Sequence, residues 1–209
     1  MNRTALATAE RHDLADFLET LTPEQWDRRS LCQGWTVRDV VAHLISYEEV
    51  GMLRFIGGFV RHGFRFGSMN ERRLEEFGSR TPAELVAYVR SHAKPSGPTA
   101  VADARIGLTD GLIHHQDIRR ALGRPRQVPP ERLAPVLDFA MIAPPLPAKQ
   151  NVQGLRLMAT DLDWSHGSGV EVTGPGEALL MAVCGRAHAL PELMGPGLRT
   201  LESRVRPAQ

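Results

Sequence analysis

Residues 36–46, TVRDVVAHLIS, predict the beginning of an amphipathic helix and contain one residue that does not suit it. Thr36 and Asp39 have the spacing of a capping box, and the apolar residues that follow recur at helical intervals. His43 interrupts the apolar face that they form. For a histidine alone on a helix, a core or boundary position is the more common role. The stretch therefore predicts a helix from Thr36 to about Val60 and leaves His43 either as a core histidine or as a metal ligand.

Three further helices are predicted on either side of this one. Leucine and phenylalanine residues at helical spacing predict the first over about residues 4–20. A threonine followed by a proline, Thr81 and Pro82, predicts the start of the third. The fourth should span residues 101–122, since Gly123 then provides a stop signal. Four helices in roughly the first 120 residues, without strand-like alternation between them, predict a four-helix bundle.

The chain after the bundle has a different character. Two proline-rich stretches bracket a predicted helix at about residues 131–142 and indicate a boundary between two units. Residues 154–164 alternate as a strand does, and residues 170–174 are predicted as its hairpin partner across the turn SHGSG. A helix entered through Pro175 follows. This pattern is typical of a small α+β unit.

The predicted fold class is therefore mainly α, with a four-helix bundle over residues 1–145 and a small α+β C-terminal domain over residues 150–209. The chain has 209 residues, of which 42% are hydrophobic and 23% charged. These values are typical of a globular protein that can bury one or two cores.

Charge and hydropathy argue against two classes of partner. The chain has Lys+Arg 25 and Asp+Glu 24, a formal net charge of +1, so nothing indicates nucleic acid or an anionic membrane. Charges recur at short intervals near the N-terminus, and no uncharged run reaches the roughly 18 residues of a membrane span. We therefore expect a cytoplasmic protein without nucleic-acid or membrane partners.

The two cysteines, Cys32 and Cys184, lie far apart and form no C-x-x-C pair. A zinc ribbon, a disulfide framework and a thioredoxin-type couple are thus unsupported, and thiol chemistry would need an external thiol. Cys32 precedes a predicted helix start, where a thiolate nucleophile is favoured. Packing beside Trp35 as a small buried residue is nevertheless the preferred interpretation of Cys32. Trp26 and Trp35 are themselves predicted to be core anchors.

The stretch DGLIHHQDI, residues 110–118, contains candidate metal ligands in the middle of the fourth helix. Asp110 and His114 are four residues apart and therefore project from the same helix face. Asp117 could hydrogen-bond the other nitrogen of a ligand imidazole and fix its tautomer. His43 is the best-placed histidine for a third ligand. Two imidazoles and one carboxylate leave an open coordination position, as in catalytic sites, and suit zinc, Fe(II) or Ni(II).

Each of these residues also has a simpler interpretation. Asp110 and His114 could form a solvent-facing pair, and His115 could be the inward residue in place of His114 because adjacent positions differ by about 100° around a helix. Arginines around the loop after the second helix could bind an anionic substrate, although a solvated charge is the usual role. These arginines are Arg54, Arg61 and Arg65.

The run TPEQWDRRSLCQGWTVRDVVAHL, the aspartate–histidine helix and the stretch GLRLMATDLDWSHGSGVEV resemble the mycothiol-dependent maleylpyruvate isomerase family. That family belongs to the DinB-like metal-binding bundles, and the resemblance extends from about residue 10 to residue 204. It implies a DinB-like four-helix bundle with zinc held by a histidine of the second helix and by a glutamate and a histidine, four residues apart, of the fourth. Those positions fall on His43, Asp110 and His114, so that an aspartate stands where the family has glutamate.

The resemblance also implies a chemistry. A low-molecular-weight thiol, mycothiol or a similar compound, would be recruited to the metal, which lowers the pKa of a coordinated thiol. The implied function is a metal- and thiol-dependent isomerisation or S-transfer on a small electrophilic substrate. The sequence leaves open whether the protein is a monomer or a homodimer. Two alternatives stay open: a metal-dependent hydrolase, and a non-catalytic binding or regulatory module, which the change to Asp110 favours.

Overall fold

The computed structural model describes residues 2–48, 50, 57, 77 and 79–205 and divides the chain into two compact units, Met1–Arg126 and Gln127–Gln209. The helices are α1 (Arg3–Leu18), α2 (Pro23–Trp26), α3 (Val37–Ile45), α4 (Pro82–Ser91), α5 (Arg105–Ala121), α6 (Pro130–Ala140), α7 (Ala148–Asn151), α8 (Gly176–Val183) and α9 (Leu198–Val205). The strands are β1 (Leu155–Ala159), β2 (Ser165–Gly167) and β3 (Val170–Gly174). The domain boundaries predicted from the sequence, 1–145 and 150–209, stay a prediction.

The first unit is a four-helix bundle, as predicted. Helix α1 packs against α4 and α5, and α3 packs against the same two helices, so that the four close into a ring around one core. Apolar side chains from all four helices meet there and exclude water, the main stabilising contribution to such a fold. The fully buried members with large side chains include Leu14, Leu18, Trp26, Leu85 and Ile118.

Capping side chains fix where these helices begin. The Asp39 carboxylate accepts hydrogen bonds from the backbone N–H and the hydroxyl of Thr36, at 2.8 and 2.7 Å. The Thr36 hydroxyl in turn accepts from the Asp39 N–H at 3.2 Å. Thr81 and Glu84 form the same reciprocal arrangement at the start of α4. The capping box predicted at Thr36 and the helix start predicted at Thr81 are thus confirmed, and the Asp39 carboxylate is part of the first cap.

Two predicted helix boundaries were wrong. Helix α5 begins at Arg105 and not near Val101, because the three residues Ala102–Ala104 have left-handed backbone angles, with φ of 56°, 59° and 57°. Such angles cannot continue a right-handed helix. Helix α3 ends at Ile45, and residues 46–48 form a turn. The predicted continuation of this helix falls mostly outside the described residues, as do Arg54, Arg61 and Arg65.

The second unit contains a three-stranded sheet in the order β2-β1-β3, which corrects the predicted hairpin. Strand β1 pairs antiparallel with β2, and Leu157 lies opposite His166. Strand β3 lies on the other side of β1 and runs parallel to it, with Leu157 opposite Val172. The stretch SHGSG, predicted to be a turn, therefore supplies the antiparallel strand itself. Among the residues described, no helix is long and apolar enough to cross a membrane.

Glycines make this strand order possible. Between β2 and β3 the chain crosses past the start of β1, where the Val170 N–H donates to the Gly154 carbonyl at 3.1 Å. Gly167 and Gly169 have positive φ, 79° and 129°, and a Cβ on Gly169 would collide with the Gly154 backbone. Only glycine allows this close approach of two backbones.

Two glycines of α5 should respond in opposite ways to substitution by alanine. A Cβ at Gly111 would make ordinary contact with Glu10 Cγ at 3.9 Å, so Gly111→Ala should stabilise the fold by roughly 0.5–1 kcal/mol through helix propensity. A Cβ at Gly107 would lie 2.9 Å from the Thr99 carbonyl oxygen, so Gly107→Ala should destabilise it. Urea unfolding of the two variants tests both signs, and a destabilising Gly111→Ala would contradict the packing described.

Candidate metal centre

Three predicted ligands come together where α3 faces α5. The Asp110 Oδ1 atom lies 3.4 Å from His114 Nε2 and 3.8 Å from His43 Nε2. The rings of His43 and His114 have centroids 5.1 Å apart and are nearly perpendicular, at 83°. One carboxylate oxygen and two imidazole nitrogens therefore converge on a single point, with all three ligand atoms within 4.8 Å of one another.

These separations suit a divalent ion. Ligand atoms held about 2.1 Å from a tetrahedral zinc lie roughly 3.4 Å apart, close to the observed spacing. Asp110 is one methylene shorter than the glutamate expected from the resemblance, but its carboxylate still lies within ligand spacing of both rings. The donor set of two nitrogens and one oxygen is suitable for zinc and other divalent transition metals.

The cluster is closed on one side and open on the other. The side chains of His43 and His114 are 9% and 13% exposed, whereas that of Asp110 is 33% exposed. Buried imidazoles are held in place by packing, and the carboxylate lies at the edge that solvent reaches. A small molecule approaching the cluster would therefore come from the Asp110 side.

Asp117 fixes the orientation of the His114 ring. Its Oδ2 atom lies 3.0 Å from His114 Nδ1, and its side chain is fully buried. A hydrogen bond from Nδ1–H to this carboxylate leaves the lone pair of Nε2 directed at the cluster. The geometry is that of a carboxylate supporting a ligand histidine, and the role itself stays a prediction for Asp117.

His43 is held by aromatic rings. Its ring centroid is 5.0 Å from that of Trp35 and 5.8 Å from that of Tyr47. Its Nδ1 atom is buried, and no hydrogen-bond partner is found for it within the described residues. Trp35 also lies 6.4 Å from the His114 ring. The predicted core anchor Trp35 thus packs on the bundle core and forms a wall of the site as well.

Electrostatics in the cluster favour a positive charge beside Asp110. Burial opposes ionisation, but the charge and hydrogen bond of His114, with a further contribution from His43, hold the pKa of Asp110 well below its ordinary value. Burial likewise opposes charge on His114, yet Asp110 raises its pKa well above the usual range. Hydrogen bonds of His114 with Asp117 and Cys32 act in the same direction. The Asp110 carboxylate thus stabilises a positive charge next to it, which in the metal-free protein is the His114 proton.

Cys32 was not predicted to belong to this cluster. Its Sγ atom lies 3.1 Å from Asp117 Oδ2 and 3.4 Å from His114 Nδ1. Packing beside Trp35, the interpretation favoured from the sequence, accounts for only part of these surroundings. The position of Cys32 just before the helix that carries His43 was the one signal that could have indicated it.

His115 does not replace His114 in the cluster. Its ring is fully buried on a different face of α5, with Nδ1 2.8 Å from Glu10 Oε1 of α1. Its other nitrogen accepts a hydrogen bond from Arg119 Nε at 2.8 Å. Both nitrogens of His115 are thus satisfied within the bundle, whereas His114 directs Nε2 at Asp110.

Comparison with known proteins agrees with this architecture. Residues 7–94 match the family model described as "Mycothiol maleylpyruvate isomerase N-terminal domain". Residues 7–94 of the first unit are therefore similar to that N-terminal domain. The resemblance read from the sequence is thereby confirmed for this region, which includes His43. Helix α5 lies beyond the matched residues, and the ligand roles of His43, Asp110 and His114 all stay predictions.

Two crystal structures extend the likeness over both units. They are those of the mycothiol-dependent maleylpyruvate isomerase and of a variant of it with one histidine replaced by alanine. Each covers 88% of this chain and 88% of its own, with a TM-score of 0.50 and sequence identities of 16% and 15%. The predicted fold class, a DinB-like bundle followed by a small C-terminal domain, is confirmed. No curated protein matches the sequence significantly.

Proposed function

We propose that this protein is a metal-dependent enzyme that uses a low-molecular-weight thiol of the mycothiol type to isomerise, or to add sulfur to, a small electrophilic substrate. The observation that carries the proposal is the convergence of His43 Nε2, His114 Nε2 and Asp110 Oδ1 at a point open on the Asp110 side. The isomerase domain match and the isomerase fold support this choice of chemistry.

Three side chains would hold the ion, and neighbouring residues orient two of them. His114 is oriented by Asp117, and His43 by the rings of Trp35 and Tyr47. When bound, a divalent metal lowers the pKa of a coordinated thiol and provides thiolate at neutral pH. The buried rings exclude water from one side, which strengthens the electrostatic interactions inside the site.

The substrate class follows from what a thiol can do reversibly. The sulfur adds to one carbon of a cis double bond conjugated to a carbonyl, and the electron pair of that bond moves to the carbonyl oxygen. The former double bond is then single and can rotate. Elimination of the sulfur restores the double bond in the trans geometry and returns the thiol unchanged. In a transferase, protonation at carbon would instead retain the carbon–sulfur bond.

A turnover assay tests the proposal. Zinc-loaded protein should convert maleylpyruvate, a cis-unsaturated keto acid, only when mycothiol is present, and chelation of the metal should abolish the conversion. The His12→Ala variant, which changes an exposed histidine of α1, should retain activity, whereas Asp110→Ala should lose it. Turnover without thiol would favour a hydrolase. A thiol-induced rise in melting temperature without any turnover would favour a binding module.

A further inference from the structure

We propose that Cys32 is a positioning residue of the metal centre, acting through Asp117 on His114. The inference rests on the proposed metal site and deepens it. Cys32 Sγ lies 3.1 Å from Asp117 Oδ2, and the same oxygen lies 3.0 Å from His114 Nδ1. A thiol and an imidazole N–H thus donate to one carboxylate oxygen.

Two donors on one oxygen restrict how the carboxylate can turn. Asp117 is fully buried, so its carboxylate depends on hydrogen-bond donors within the protein for stabilisation. The Cys32 S–H holds Oδ2 at the point where it receives the His114 Nδ1 proton. Without this donor the carboxylate can rotate or draw in water, and the His114 ring loses part of its orientation.

The turn that contains Cys32 is hydrogen-bonded to helix α5. The Leu31 N–H donates to the backbone carbonyl of Asp117 at 3.3 Å, one residue before the thiol. The Cys32 N–H donates to Ser30 Oγ at 3.1 Å, and the Ser30 hydroxyl donates to the Trp35 carbonyl at 3.0 Å. The turn that precedes α3 is therefore tied to the residue that Cys32 supports.

The geometry distinguishes this role from that of a fourth ligand. Cys32 Sγ lies 3.4 Å from Nδ1 of His114, whereas the nitrogen facing Asp110 and His43 is Nε2. The thiol is thus at the edge of the imidazole away from the cluster. A separation of 3.1 Å between Sγ and a carboxylate oxygen is that of a hydrogen bond.

Zinc affinity in a double-mutant cycle tests the inference. Cys32→Ala should weaken zinc binding by roughly 3- to 10-fold, less than the 10- to 100-fold typical of a direct partner of a ligand histidine. Cys32→Ser keeps a donor and should restore the affinity to near that of wild type. In an Asp117→Ala background, Cys32→Ala should have almost no further effect, because the carboxylate through which it acts is absent. Competition with a chromophoric chelator gives the affinities.

Cys184 provides the matched control, because it is the other cysteine and lies in the second unit. Cys184→Ala should leave the zinc affinity unchanged. Equal losses in Cys32→Ala and Cys32→Ser, no loss in either, or additive effects with Asp117→Ala would overturn the inference and leave Cys32 as a packing residue.

A second measurement needs no metal and separates this inference from the proposed function. In protein labelled with ¹⁵N-histidine, the Nδ1 proton of His114 should exchange slowly with solvent in wild type and in Cys32→Ser. The exchange should be faster in Cys32→Ala. If wild type bound no zinc, the proposed function would fail, but this exchange rate would still decide whether Cys32 orders Asp117 and His114. Equal rates in all three proteins would refute the inference.

Discussion

Replacing Asp110 by alanine should lower the affinity of the protein for zinc by at least roughly 100-fold. That value is the upper end of the loss caused by removing a side chain that only hydrogen-bonds a metal ligand. The Asp110 carboxylate supplies the negative charge of the donor set and faces Nε2 of both His43 and His114. Without it, two neutral imidazoles remain, and the charge of the ion is no longer balanced. His43→Ala and His114→Ala should each cause a comparable loss.

Elemental analysis of protein purified without added metal, followed by zinc titration, measures this effect. Wild type should contain about one equivalent of a divalent metal, as expected for a single mononuclear site. Asp110→Asn is the sharpest variant, since it keeps the size of the side chain and removes only its charge. His12→Ala controls for the loss of a histidine, because His12 is exposed on α1. Full zinc stoichiometry in His43→Ala would remove His43 from the ligand set and make it a core histidine.

Local signals predicted much of the bundle correctly. The capping boxes at Thr36 and Thr81 lie within four residues of sequence, and the structure contains both. The i,i+4 spacing of Asp110 and His114 likewise determines that they share a helix face, and their polar atoms lie 3.4 Å apart. These features were predictable because they depend on neighbours in the chain. Binding of a metal by the pair stays a prediction.

The features that escaped prediction depend on contacts between distant residues or on special backbone angles. Cys32 meets Asp117 across 85 positions of the chain, and no spacing rule anticipates such a contact. The sheet order depends on Gly169 passing close to Gly154, which a hairpin pattern does not reveal. The late start of α5 follows from left-handed angles at non-glycine residues, which propensity rules do not anticipate.

Replacing Glu10 by glutamine should cost the fold roughly 3 kcal/mol at pH 5 and above, because it breaks a buried ionic network. Glu10 Oε1 lies 2.8 Å from His115 Nδ1 and forms an ion pair with Arg126. Burial alone would raise the pKa of Glu10, but the His115 hydrogen bond and the Arg126 charge outweigh burial and lower it from 4.5 to about 2. The ionised form is therefore the one that the folded state stabilises.

The sign of the pH dependence follows from that shift. The unfolded chain binds a proton at Glu10 near pH 4.5, and the folded chain binds it only near pH 2. The contribution of ionised Glu10 to the free energy of unfolding is therefore complete above pH 4.5 and disappears as the pH falls towards 2. Ionised Glu10 contributes about 3 kcal/mol to the free energy of unfolding, and roughly half of this contribution should be lost between pH 5 and pH 3. The difference between wild type and Glu10→Gln in urea unfolding should shrink by this amount over the same interval.

Glu131→Gln is the matched control, since Glu131 is exposed at the start of α6. Its difference from wild type should stay within about 0.5 kcal/mol at both pH values. A Glu10→Gln difference that is constant from pH 5 to pH 3 would show that the carboxylate is not held ionised by its partners.

Glu10→Gln and Asp110→Ala should also show that the two neighbouring histidines of α5 have different roles. His115 packs towards Glu10, whereas His114 faces Asp110, since adjacent helical residues point about 100° apart. Glu10→Gln should therefore lower the free energy of unfolding while the protein, still folded at neutral pH, keeps its zinc. Asp110→Ala should lose zinc, whereas the contact between Glu10 and His115 stays in place. If Glu10→Gln lost zinc at neutral pH without unfolding, the ionic network and the metal centre would be one coupled unit, and the role of α5 would have to be reinterpreted accordingly.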